Sequence, residues 1–195
     1  MELLELIIND EDESGVDFIA LVDTPAIESN WQSFAKQEFK ESFKIQDEEK
    51  RIVSGYFMIA DLPIIRVNEK GEQFYVVFRK NTINKIVDKF FKNGYSNNIN
   101  LMHNKSEQAN GVYVIESLII DDKRNIVAPT GFEKVPNGSW WGSMRIEDDT
   151  IWEQVKAGTF NGFSVEGLFS NKLGHQYPEK VITKIRDIIK NYKNQ

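Results

Sequence analysis

Short runs rich in β-branched and aromatic residues, each closed by turn residues, recur along most of this chain and limit what it can fold into. Leu3 to Ile8, Val16 to Asp23, Glu41 to Gln46, Arg51 to Ala60, Phe74 to Phe78, Ile99 to His103, Val112 to Ile120, Trp140 to Ile146 and the run around Ser164 read as strands. The breaks between them have physical causes. Thr24-Pro25 stops the second run, because proline lacks an N–H and restrains its neighbour. Asp47-Glu48-Glu49-Lys50 reads as a hairpin connection, the acidic stretch Asp10 to Gly15 as a solvated loop, and Pro136-Asn137-Gly138 as a turn.

Three segments carry helical spacing instead. From Asn81 or Thr82, whose side chains can cap free amides, Ile83, Ile86, Val87, Phe90 and Phe91 share a face up to the stop at Asn93-Gly94. A short helix capped at Asp148 or Asp149 places Ile151, Trp152 and Val155 together and ends at Gly158. Glu179 to Tyr192 forms an amphipathic third, a surface for packing or for self-association, homodimerisation included. Helices do not alternate regularly with strands, which disfavours a doubly wound sheet. The expectation is a mainly β, α+β chain built on a barrel or strongly curved sheet. It is divided into one domain over residues 1–175 and the amphipathic helix over 176–195.

Composition removes several functional classes. The chain has 24 basic and 30 acidic residues and a formal charge of −6, which argues against a general nucleic-acid binder. With no cysteine there is no disulfide scaffold, thiolate metal site or cysteine nucleophile, and two histidines make a histidine-rich zinc site a poor fit. No metal or organic cofactor is expected, since neither a phosphate loop nor a dinucleotide fingerprint is present. The apolar N-terminal run has acids inside it and no basic flank, so it does not read as a signal peptide, and no run approaches a membrane span. A soluble, cytoplasmic protein is the expectation.

One serine and one imidazole stand out. Ser164 lies in Gly162-Phe163-Ser164-Val165-Glu166-Gly167, where alternation puts Gly162, Ser164 and Glu166 on one face, while Phe163, Val165 and Leu168 are expected to serve the core. The glycine spacing differs from the nucleophile elbow of the hydrolase fold, so another scaffold is required. His103 closes the run Ile99-Asn100-Leu101-Met102-His103 and precedes a polar stretch, Asn104-Lys105-Ser106, which reads as a loop. His175 sits in loop-like sequence and is less constrained. A serine becomes a nucleophile when a base takes its proton, and histidine titrates in the right range to do so. Asp17, Asp23, Glu116 and Glu166 are the acids that could orient the ring.

Four stretches resemble a known family: Val16 to Glu28 with its Leu21-Val22-Asp23-Thr24-Pro25-Ala26, Leu101-Met102-His103-Asn104, Trp140-Trp141-Gly142-Ser143-Met144, and Gly162 to Gly167. Together they look like the XkdF-type proteins of tailed phages, classed as serine proteases, over about residues 15 to 170. That family is similar to phage prohead proteases and to herpesvirus assemblin, whose fold is a β-barrel wrapped by helices. The resemblance implies an endopeptidase that cleaves scaffold and major capsid proteins inside an immature phage capsid, with Ser164 as nucleophile and His103 as base. In the familiar prohead proteases the Leu-Val-x-x-Pro-Ala element follows the nucleophile strand, whereas here it comes first, which implies a circularly permuted barrel. The orienting acid would then come from the N-terminal strand as Asp17 or Asp23, although Phe18 aligns most simply with the family's acid. Glu116 is held in reserve, and amides near Pro25-Ala26-Ile27 are candidates for the oxyanion site. The same barrel without proteolysis would make a capsid-assembly or scaffold-associated protein.

Overall fold

The computed structural model describes residues 3–23, 43–67, 71, 73–132 and 135–171. The C-terminal helix read over 176–195, His175 and the Pro25-Ala26-Ile27 segment lie outside them. The strands are β1 (Leu3–Ile7), β2 (Gly15–Val22), β3 (Phe43–Asp47), β4 (Ile52–Met58), β5 (Ile64–Val67) and β6 (Gln73–Phe78), followed by β7 (Ile99–Leu101), β8 (Asn104–Gln108), β9 (Val112–Ile119), β10 (Trp140–Ile146), β11 (Gly162–Leu168) and β12 (Ser170–Asn171). Helix α1 (Lys80–Lys92) follows β6, and α2 (Asp149–Lys156) follows β10. The chain is thus mainly β with two described helices, an α+β arrangement.

The strands form three four-stranded sheets, ordered β12-β1-β6-β5, β3-β4-β10-β9 and β11-β2-β7-β8. Among the described residues they do not close into one barrel. The edges β3 and β11 approach each other, yet among the described residues they form no ladder; Phe43 N donates to the carbonyl of Asn161, just before β11, at 2.9 Å. The hairpin expected across Asp47 to Lys50 is present as the β3–β4 pair, with the Lys50 amide donating to the Asp47 carboxylate at 2.9 Å. Sequence reading overlooked β5 and β12, and it took β8 for a loop because that strand is polar throughout.

Helix α1 buries Thr82, Ile83, Ile86 and Phe90, as its spacing requires, while Phe91 stays 40% exposed. Its N-cap is Arg79, with no side-chain cap, so Asn81 and Thr82 fall inside the first turn instead of before it. Helix α2 has the cap its sequence offers: the Asp148 carboxylate accepts from Ile151 N at 2.8 Å. Among the described residues no helix is long and apolar enough to cross a membrane. The acidic connection before β2 is exposed but not merely solvated. It folds around the Lys89 ammonium of α1, which donates to the carbonyls of Asn9 at 2.9 Å, of Asp12, and of Ser14 at 2.6 Å.

The core joins the sheets through a chain of rings. Phe90 of α1 meets Trp140 of β10 at 5.3 Å, Trp140 meets Phe57 of β4 at 4.9 Å, and Phe57 meets Phe163 of β11 at 4.9 Å. Such tilted and edge-on pairs add about 0.5–1.5 kcal/mol each beyond their buried area. Phe163 is therefore the anchor that seats β11 on the core while its neighbour Ser164 faces the other way. Phe163→Ala should cost about 3–5 kcal/mol of unfolding free energy, read as a lowered urea midpoint. Leu168, expected in the core, is instead 62% exposed at the end of the same strand, past the register shift at Glu166/Gly167, so Leu168→Ala should leave the midpoint nearly unchanged.

Candidate active site

Strand β2 runs between the two strands that carry Ser164 and Asn100. Ser164 pairs with Ala20 on one side, and Ala20 pairs with Asn100 on the other, so the three form one row across the sheet. Residues in a row point to the same face, and Glu166, two positions beyond Ser164, shares it. The β11 and β7 strands are not adjacent; the N-terminal strand β2 is inserted between them. The small Ala20 side chain, fully buried, leaves the larger groups on either side free to lean over it.

His103 reaches this face from the β7–β8 turn. Leu101 pairs with Asn104, leaving Met102 and His103 as a two-residue loop with φ of 52° and 61°. Positive φ at both central positions is the type I′ geometry that suits a twisted hairpin, where asparagine and glycine are the usual occupants. Methionine and histidine in that conformation cost on the order of 1–3 kcal/mol each. The turn directs the ring back over the sheet. His103 Nδ1 lies 3.1 Å from Glu166 Oε1, with the ring 44% exposed and the carboxylate 15% exposed. The same oxygen accepts a hydrogen bond from Asn100 Nδ2 at 2.5 Å.

Ser164 is 7% exposed, and among the described residues no hydrogen bond joins it to His103. Substrate-free sites commonly hold this contact open until the complex forms. With Nδ1 occupied by Glu166, the ring nitrogen left for the serine is Nε2.

The other candidate acids lie elsewhere. Asp17 falls at a bulge, where the register slips between Glu166 opposite Phe18 and Gly167 opposite Val16, and its carbonyl accepts from Asn98 Nδ2 at 3.0 Å. Asp23 is exposed beyond the end of β2. Glu116 belongs to a different sheet, where it accepts from the buried Ser143 hydroxyl, itself 2.7 Å from Ser54 Oγ. Glu166 is thus the carboxylate in contact with the ring. The alternation of Ser164 and Glu166 already placed both on one face, but nothing in sequence tied that face to His103. Asn100 was overlooked, although a lone polar residue between Ile99 and Leu101 was the available signal.

A serine, an imidazole and a carboxylate gathered on one sheet face are the parts of a serine hydrolase. The family model described as "Putative phage serine protease XkdF" matches residues 38–172, and the chain belongs to that family. No curated protein and no solved structure matches it. The matched region contains His103, Ser164 and Glu166 but begins after β2, the strand that sets their register.

Gly167 keeps this register tight. A Cβ built there would sit 1.7 Å from Gly15 O and 2.7 Å from Gly15 C, so any side chain must push β2 and β11 apart beside Glu166. Gly167→Ala should destabilise the protein by at least about 1–3 kcal/mol, measured as a fall in thermal midpoint by circular dichroism. An unchanged midpoint would show that the strands do not approach this closely.

Proposed function

We propose that the protein is a serine endopeptidase of phage prohead maturation, cleaving scaffold and major capsid proteins, with Ser164, His103 and Glu166 as its catalytic set. The observation that carries the proposal is the Glu166–His103 contact of 3.1 Å on the face that also bears Ser164. An acceptor at Nδ1 fixes the proton there and leaves Nε2 with a free lone pair. On substrate binding, His103 Nε2 takes the Ser164 proton as Oγ adds to the peptide carbonyl. The imidazolium then returns that proton to the departing amine, leaving an acyl-enzyme. Water repeats the sequence, giving up a proton to Nε2 and releasing the acid product and the free serine. Throughout, the Glu166 carboxylate balances the imidazolium charge without taking its proton.

Kinship with herpesvirus assemblin through a circularly permuted barrel is part of the same reading. It is supported by the position of β2, first among these strands in sequence yet lying between β11 and β7. The proposed site of action is the prohead in the host cytoplasm.

The test is cleavage of co-expressed scaffold or shell protein, alongside labelling by a fluorophosphonate probe. Ser164→Ala and His103→Ala should each remove nearly all cleavage, and the double variant should lose little more, because such residues act as a unit. Glu166→Gln should cost about 10³–10⁴-fold in kcat, whereas Asp17→Asn and Asp23→Asn keep most activity. Cleavage at the normal rate by the Ser164→Ala protein would reject the mechanism and leave a capsid-assembly protein that retains the fold.

A further inference from the structure

We propose that Asn100 is a positioning residue, acting through Glu166, that holds the carboxylate against His103 and so sets which ring nitrogen is the base. The inference rests on the Ser164–His103–Glu166 reading above. Asn100 is completely buried in the middle of β7, a strand otherwise made of isoleucine and leucine. A buried amide is costly unless bonded, so packing alone would favour an apolar residue here. Its Nδ2 is used on Glu166 Oε1, while its Oδ1 is buried without a partner. The opposite amide orientation would set two acceptors against each other, so the donor must face the carboxylate.

The geometry explains why such a hold is needed. Glu166 stands in the row of Phe18, and Asn100 in the next same-face row, with Ala20 and Ser164. The glutamate must therefore lean along the sheet to meet a ring coming from the opposite end. A side chain with three rotatable bonds, touching only a half-exposed ring, would sample many positions in water. The Asn100 amide removes that freedom by fixing the same oxygen that faces Nδ1. Oε1 is then bonded from two sides, and the ring has one acceptor in one place. This keeps the neutral ring protonated on Nδ1, with Nε2 open toward the serine.

The experiment uses the full chain with Asn100→Leu, which keeps side-chain bulk but removes the donor, and Asn100→Ala. Two readouts are taken: the rate of Ser164 labelling by the fluorophosphonate probe, and the ring-nitrogen NMR spectrum of His103 in a His175→Gln background. Labelling should fall about 10–100-fold, as when the group orienting a functional side chain is removed. The neutral His103 ring should shift from the Nδ1–H form toward Nε2–H. In the Glu166→Gln background, Asn100→Leu should add little to either change, because both act through one contact.

Unchanged labelling and an unchanged tautomer in Asn100→Leu would overturn the proposal, as would losses that simply multiply with those of Glu166→Gln. If neither variant folds, the Asn100 side-chain amide protons of the unsubstituted protein decide. They should resonate downfield and move in Glu166→Gln, and their indifference to that change would sink the idea. A tautomer change in a protein whose Ser164 never labels would uphold the role of Asn100 while rejecting the peptidase reading.

Discussion

The β2 ladder is the constraint on which the rest depends. One strand bonds antiparallel to β11 and parallel to β7, and that double pairing sets residues 20, 100 and 164 in one row although 80 and then 64 positions separate them from one to the next. A slip of one residue in either ladder would turn the serine or the asparagine into the core, because side chains alternate along a strand. The register is held by burial on both sides of the row. Ile19 and Leu21 of β2, Phe163 of β11 and Ile99 of β7 are each at most 1% exposed. The apolar alternation that builds the core therefore also delivers the polar groups to the opposite face.

The same logic explains why the Trp140-Trp141-Gly142-Ser143 segment matters without touching the site. Trp140 carries the ring chain from α1 toward Phe57 and Phe163, while Trp141 packs with Tyr56 and Phe132 in a separate small cluster. Gly142 lies against the Phe57 ring, where a Cβ would come within 2.3 Å of it. That ring supports Phe163, with centroids 4.9 Å apart, so the packing behind β10 is transmitted to β11 through side-chain contact.

Much of the strand pattern was legible in sequence, because alternation and turn residues act locally. The β3–β4 hairpin, the α1 face and the α2 cap all follow from neighbours within a few positions. What was not legible depends on pairing between distant strands. No local signal says that β2 enters between β7 and β11, that the strands divide into three sheets, or that polar Asn104–Gln108 is held extended by pairing with β7. The choice among acids failed to resolve for the same reason. Asp17 and Asp23 were favoured by chain order, whereas contact with the ring is decided by a turn and a side-chain lean that sequence spacing does not encode.

The position of the carboxylate has a simple cross-strand explanation on the proposed mechanism. Phe18, which on the expected resemblance would stand in the place of an acid on the N-terminal strand, pairs directly with Glu166 on β11. Opposite residues in an antiparallel pair have Cβ atoms only about 4.5–5.5 Å apart, and both point to the same face. A carboxylate can therefore serve the same imidazole from either strand, provided something fixes its lean. An acid at position 18 would stand one strand nearer to β7 and the His103 turn. From position 166 the glutamate must cross over Ala20, and its contact with the buried Asn100 amide marks the end of that crossing. An alanine in the row, an amide beyond it and an acid on the outer strand thus form one consistent set. Replacing Ala20 with a larger side chain would block the path by which Glu166 reaches the ring.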